Sequence, residues 1–255
     1  MIISSPLLTI VTVVLNDCKN IEQTILSVIS QKDASIEYIL IDGGSIDGTV
    51  EVIKKYDTSI DYWVSEPDSG VYGAMNKGII RAKGQFIGLL NSGDYYNSGV
   101  LEIIIKNVKD IETKYHVIAG GMDRINEDNK CIKKYYLTSS RLTRRYFSMP
   151  FFHPAMFVSS SVYNDYGLYN PNYKIAADYE FALRLLDNNI SISIIPYIFT
   201  SMRIGGLSDV ASNFFVQQKE TYMIRRNYKG TIFCGFVMFR EIVSFLLKQI
   251  KNLFL

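Results

Sequence analysis

The chain of 255 residues carries 27 Lys+Arg, 25 Asp+Glu and three cysteines, with 48% apolar and 13% aromatic residues. That composition excludes intrinsic disorder, which needs few apolar residues and a high net charge. The odd, widely spaced Cys18, Cys131 and Cys234 exclude a disulfide scaffold, suit a reducing cytosol and offer no zinc-binding spacing.

The length suits one large α/β domain. The net charge of +2 conceals an asymmetry: residues 1–128 hold 11 Lys+Arg against 18 Asp+Glu, and residues 129–255 hold 16 against 7. The two halves therefore face different partners or each other, and a basic half can attract phosphate or anionic lipid. The first apolar run, residues 7–15, lacks the basic flank and small-residue cleavage site of an export signal. No stretch offers the roughly 20 uncharged apolar residues of a spanning helix.

Residues 8–15 read as a strand with few polar positions, as in a sheet covered on both faces. Residues 20–23, Asn-Ile-Glu-Gln, resemble a capping box, and Ile21, Ile25, Val28 and Ile29 follow at helical spacing. Residues 38–41 form a second strand, ending in the Gly- and Asp-dense turn 42–49. A helix over 50–56, a strand over 60–64, a helix over 71–83 and a strand over 85–90 follow, the last ending at Asn91-Ser-Gly-Asp94. Such alternation predicts a mostly parallel sheet with helices on both faces. Ligands bind beyond the carboxyl ends of such strands. Four polar loops, at Asn16–Asp17, 42–49, 65–70 and 91–94, therefore make one candidate site.

The second part is less regular. Residues 130–164 contain six basic residues and no acidic one, mixed with aromatics, and His153 sits among them. Ala176-Ala-Asp-Tyr-Glu180 opens a helix whose first turn holds Asp178 and Glu180, where carboxylates are favoured by the dipole. Residues 190–195 read as a further strand. No linker separates the parts, so they are expected to share one core.

Gly-rich loops at strand ends let backbone N–H groups approach phosphate oxygens, which suggests a nucleotide. The first strand is followed by Asn16-Asp-Cys-Lys-Asn20, not Gly-x-Gly-x-x-Gly, and no P-loop occurs. Asp94, three residues after Asn91, is a candidate ligand for a hard divalent cation set against a diphosphate.

Thr9-Ile-Val-Thr-Val-Val-Leu-Asn16, Ser27-Val-Ile-Ser-Gln31, Ile41-Asp-Gly-Gly-Ser-Ile-Asp-Gly-Thr49, Trp63-Val-Ser-Glu-Pro-Asp-Ser-Gly-Val-Tyr72, Ala74-Met-Asn-Lys-Gly78 and Leu90-Asn-Ser-Gly-Asp94 together resemble the family 2 glycosyltransferases. The likeness extends to the bacterial branch that builds colanic acid, capsule and O-antigen. It implies a GT-A fold (Rossmann-like, a mixed, mostly parallel sheet flanked by helices). The catalytic domain would be residues 1–205, with a donor half over about 1–115 and an acceptor half over 116–205. An amphipathic helical extension would occupy 206–255.

By the same resemblance Asp42 stands near the nucleoside base, where many relatives have a second Asp and this chain has Gly43. Asp68, Gly70, Asn76, Lys77 and Asn91 resemble the donor pocket, and Asp94 the metal ligand for Mn2+ or Mg2+. Asp178 resembles the catalytic base, and His153 and Glu180 lie on the acceptor side. The implied activity is transfer of a sugar, of the hexosyltransferase type, from a nucleotide-sugar donor (a UDP-sugar) to a saccharide or lipid-linked hydroxyl, with inversion. No nucleic acid partner is implied.

In residues 231–255, Ile242, Val243, Leu246, Ile250, Leu253 and Phe254 recur at helical spacing, opposite Arg240, Ser244, Lys248 and Lys251. An amphipathic basic helix reads as membrane-surface binding, here on the cytoplasmic face of a bacterial membrane. Docking on its own domain or on a second copy of the chain, as a homodimer, is the competing reading. Two other functions stay open: a non-catalytic nucleotide-sugar-binding subunit, and a nucleotidyltransferase, which would want a Gly- and Arg-rich loop after the first strand.

Overall fold

A computed structural model describes residues 5–206 and 210–253. Strand β1 (Leu8–Val14) is buried at every position, as a strand covered on both faces must be. Helix α1 (Ile21–Ile29) leads to β2 (Ile36–Asp42), the short α2 (Thr49–Lys54) to β3 (Tyr62–Ser65), and α3 (Val71–Arg81) to β4 (Phe86–Asn91). These pair in parallel in the order β3-β2-β1-β4. The chain thus runs outward from β1 through β2 to β3 and returns on the other side of β1, which opens a crevice at the carboxyl edge of the sheet.

The second half extends the same sheet. After β5 (Tyr95–Tyr96) and α4 (Val100–Lys109) come β6 (His116–Ile125), β7 (Cys131–Tyr135) and α5 (Ser139–Thr143). Next are β8 (Met156–Ser159), α6 (Ser160–Tyr166), α7 (Ala177–Asp187) and β9 (Ser191–Arg203). β8 pairs antiparallel between β4 and β6, while β6 and β9 run parallel. The sheet is mixed, but its longest ladders are parallel. Strand β9 runs well past the predicted 190–195, because its far end pairs with β5 and the end of β6.

One apolar cluster runs from Leu8 to Phe199, so the two halves do share a core. Helix α3 presses on β1 through Gly78, where an added Cβ would meet Val11 Cγ1 at 2.2 Å. A second, smaller cluster joins Ala176, Tyr179 and Leu183 of the α7 region to Ile224 of α8 (Phe214–Arg226). Helix α9 (Thr231–Leu253) packs along α8, with Cys234 and Val237 buried and Phe245 stacked on Phe214 at 3.9 Å. The side chains from Lys248 onward, including Ile250, Lys251, Leu253 and Phe254, lie outside the described residues.

One local expectation fails. Asn20 does not cap α1: its backbone is helical (φ −117°, ψ −20°) and its side chain makes no cap hydrogen bond. Its amide donates instead to Asp17 Oδ1 at 2.6 Å, and the box partner Gln23 accepts from Arg203 at 3.0 Å. Both polar groups hold the strand-end loops together.

Candidate active site

The four loops predicted at strand ends do meet. Asn16 takes a left-handed backbone (φ +50°) just past β1. Its N–H donates to Ser45 Oγ at 2.7 Å, and its Oδ1 accepts from Ile46 N at 2.9 Å. Cys18 N donates to Asp47 at 3.0 Å, and Asp17 N to Thr49 Oγ1 at 2.9 Å. Ser92, in the loop after β4, donates to Asp17 Oδ2 at 2.6 Å.

Asp42, expected near the nucleoside base, is engaged within its own loop. It is fully buried. Its Oδ2 accepts from Gly44 N (3.1 Å), Ser45 N (2.9 Å) and Ser65 Oγ (2.6 Å), and its Oδ1 accepts from Ser45 Oγ. An ionised carboxylate has about four acceptor sites, and these four donors consume them. Asp42 therefore builds the loop that shapes the crevice.

The carboxylate nearest that loop's open side is Asp68. An added Cβ at Gly43 would stand 2.7 Å from Asp68 Oδ2, so the missing side chain at 43 makes room for Asp68. Asp68 Oδ1 accepts from Gly70 N at 2.7 Å. Gly70 holds φ +102°, a conformation nearly confined to glycine, and starts α3. Lys77 pairs with Glu66 at 2.8 Å and also donates to the Pro67 carbonyl at 3.1 Å. Both partners are partly exposed, so this pair orders the loop more than it stabilises the fold.

Asp94 is buried, and its Oδ1 accepts from Arg203 N at 3.0 Å. The Arg203 guanidinium ties this corner to Gln23 and Asn129. The Asn91 Oδ1 is buried without a hydrogen-bond partner. Among the described residues no group of three or more His, Cys, Asp or Glu could hold a metal. A hard cation that takes one carboxylate, an amide oxygen and substrate phosphates fits this donor set. The orphaned Asn91 oxygen is the observation that favours it.

Asp178, near the start of α7, sits in an aromatic enclosure. The Tyr72 hydroxyl stands 3.1 Å from Asp178 Oδ1 and 2.7 Å from the Ile175 carbonyl. Tyr72 stacks on Tyr169 with centroids 5.8 Å apart, and the Tyr169 hydroxyl meets His153 Nε2 at 3.1 Å. Burial raises the Asp178 carboxyl above its ordinary range, against the opposing pull of His153 and the Tyr179 N–H. Burial likewise lowers the His153 imidazole, against the nearby Asp178 charge. A carboxylate that is only partly buried and raised in this way is suited to accept a proton.

Asn76 and Glu180 serve structural partners. The Asn76 amide donates to the Tyr169 carbonyl (2.8 Å) and accepts from the Tyr169 N–H (3.1 Å), clamping α3 to the segment that carries Tyr169. Glu180 pairs with Arg184 one turn on at 2.7 Å, and Arg184 also binds the carbonyls of residues 166–168.

The structure adds residues that sequence reasoning did not single out. Tyr72 lay within a quoted motif, but with no assigned role. Glu220 on α8 is buried and accepts from Lys174 N (2.8 Å), Ile175 N (3.0 Å) and Ala176 N (3.0 Å), three successive amides just before α7. Arg225 on the same helix binds Glu241 of α9 at 3.0 Å and donates to the Tyr179 hydroxyl at 3.1 Å. No local pattern in residues 214–226 marks these contacts.

The family model described as "Glycosyl transferase family 2" matches residues 9–167. An uncharacterized glycosyltransferase of Mycobacterium tuberculosis H37Rv is 30% identical over 223 residues, covering 83% of this chain and 81% of that protein. A PGL/p-HBAD biosynthesis glycosyltransferase of Mycobacterium bovis BCG is 24% identical over 212 residues, covering 81% and 80%. Among solved structures, S. aureus TarS 1-349 in complex with UDP-GlcNAc superposes with a TM-score of 0.67 at 16% identity, over 92% of this chain and 71% of that one. The chain spans 39% of the longer TarS chain. The architecture is thus the expected GT-A fold.

Asn76→Ala leaves both backbone groups of Tyr169 without their partner. A loss of about 1–3 kcal/mol in urea unfolding is expected; unchanged stability would show that the clamp is idle.

Proposed function

The chain belongs to glycosyl transferase family 2 and is a glycosyltransferase. From that premise we propose that it moves a sugar from a UDP-sugar to a hydroxyl of a saccharide or lipid-linked acceptor in surface polysaccharide biosynthesis, with inversion. The observation that carries this reading is the enclosed Asp178, 3.1 Å from the hydroxyl of Tyr72, which follows the 65–70 loop, with its carboxyl raised by burial.

A hydroxyl is a weak nucleophile near pH 7. Asp178 takes its proton as the acceptor oxygen bonds to the anomeric carbon and the bond from that carbon to the diphosphate breaks. Such general-base assistance is typically worth about 10²–10⁴-fold. A single displacement of this kind inverts the anomeric centre. The base form is the active one, so activity falls as pH drops through the raised carboxyl range. Asp68, on the open side of the 42–45 loop, faces the donor. Asp94 and Asn91 would hold a divalent cation, Mn2+ or Mg2+, which when bound stabilises the leaving diphosphate as a Lewis acid. The complex of TarS with UDP-GlcNAc supports the choice of UDP.

The test is UDP release from a panel of UDP-, GDP- and dTDP-sugars, with and without chelator. Asp178→Asn is expected to lower turnover by about 10²-fold or more while UDP still binds in a thermal-shift assay. Full activity of that variant would overturn the assignment. UDP binding without release under any acceptor would favour the non-catalytic subunit instead.

The membrane reading rests on α9. Its Ile232, Phe236, Phe239 and Leu247 are 91%, 62%, 67% and 61% exposed along one face. Residues 214–255 hold seven Lys+Arg and two Asp+Glu. Both carboxylates turn inward, Glu220 to the 174–176 amides and Glu241 to Arg225. The outward charge of Lys219, Arg226, Lys229 and Arg240 is then basic, which complements anionic lipid on the cytoplasmic leaflet. No helix among the described residues is long and apolar enough to cross a membrane, so the helix would lie on the surface. Phe236→Glu with Phe239→Glu should abolish flotation with phosphatidylglycerol vesicles; undiminished flotation would end this reading.

A further inference from the structure

The buried Glu220 has no place in the reaction outlined above, yet it takes up three of its hydrogen bonds beside the catalytic helix. Two of its acceptor contacts, from Ile175 N and Ala176 N, converge on Oε2 at 3.0 Å each. The Ala176 N–H belongs to the same peptide unit as the Ile175 carbonyl. That carbonyl accepts from the Tyr72 hydroxyl at 2.7 Å, and the same hydroxyl lies 3.1 Å from Asp178 Oδ1. We propose that Glu220 is a positioning residue for Asp178, acting through the Ile175–Ala176 peptide to hold the Tyr72 hydroxyl proton on the Ile175 carbonyl. The proposal rests on the reading of Asp178 as the general base.

A tyrosine hydroxyl has one proton and here faces two acceptors. The shorter contact, to Ile175, marks where the proton goes. A negative charge on the N–H end of a peptide polarises it, and hydrogen bonds in a chain strengthen one another. Glu220 thus makes the Ile175 carbonyl a stronger acceptor than an ordinary amide. With the Tyr72 proton committed there, the hydroxyl turns a lone pair toward Asp178. That arrangement suits Asp178 when it is protonated and can donate to Tyr72, and it withholds a donor when Asp178 is ionised. A carboxylate with one donor fewer is the stronger base. The other groups that face Asp178 are His153 and the Tyr179 N–H, with Tyr169 further off; Glu220 and Asp178 both bear on Tyr72.

The sign of one substitution separates the two proton placements. In Tyr72→Phe, the acidic limb of the kcat/KM pH profile is expected to move down, because protonated Asp178 loses its acceptor. A move upward would mean that the Tyr72 proton sits on Asp178, and would overturn the proposal. Glu220→Gln weakens the Ile175 acceptor and lets the proton turn to Asp178. Its limb should also move down, by about one pH unit, as expected for one hydrogen bond to the charged form, with kcat several-fold lower and donor KM unchanged.

Glu220→Gln added to Tyr72→Phe should move the limb no further. An equal shift in both backgrounds, or lower stability with no shift, would reduce Glu220 to a structural cap and overturn the relay. The Tyr72→Phe shift should persist in a His153→Asn background; its disappearance would assign the limb to His153 and contradict the proposal. Should Glu220→Gln fail to fold, the Tyr72→Phe sign alone decides. Full activity of Asp178→Asn would instead remove the reading on which the relay rests.

Discussion

The peptide between Ile175 and Ala176 is the point on which the rest of the molecule converges. Its carbonyl is held by Tyr72 from α3, and its N–H by Glu220 from α8. The next residues begin α7 and carry Asp178. Three segments distant in sequence thus meet on one peptide unit: α3, the turn before α7 and the C-terminal helices. A carboxylate buried against three amides is stable only because those amides satisfy it. The same contact fixes the turn that aims the proposed base. The C-terminal helices are therefore joined to the segment that carries the proposed base, with α9 tied in through Arg225 and Glu241.

The crevice follows from the strand order. Running out through β2 and β3 and back to β4 leaves four loops on one edge. Their short Asp, Asn, Ser and Thr side chains knit them to one another. Asp42, Asp47 and Asp17 all accept from neighbouring loop groups. These three carboxylates thus help to build the loops at the sheet edge. Asp68 occupies the space that the missing side chain at Gly43 leaves. The basic excess of the second half is largely outward, on β7, the 141–145 turn and the C-terminal helices.

Much of this was legible in the residues. Strand and helix periods placed β1 to β4 and their loops within a few positions, because a fully buried parallel strand leaves a plain apolar run. The six motifs carried the family. Other features were not legible. Asn20 looked like a cap by type and spacing, yet its side chain turns to donate its amide to Asp17 and its oxygen accepts no N–H of the first turn, a choice that no local rule decides. The contact of Asn76 with the backbone of Tyr169, 93 residues away, had no signal in the residues. The loop donors that fill the buried Asp42 carboxylate were not legible either, since two of them are backbone amides. Glu220 gave no signal, since its partners are backbone amides more than 40 residues upstream, and backbone carries no sequence pattern. Local rules find elements; they do not find a side chain whose partner is a distant peptide.

Amide hydrogen exchange reads directly whether the C-terminal helices hold the turn before α7. In the intact chain the amides of Lys174, Ile175 and Ala176 are expected to exchange as slowly as those of core strands, although they precede a helix and belong to no ladder. In Glu220→Gln those same amides should exchange markedly faster while the amides of β1 stay protected. Exchange at these three positions at the rate of an exposed loop in the unaltered chain would contradict the account.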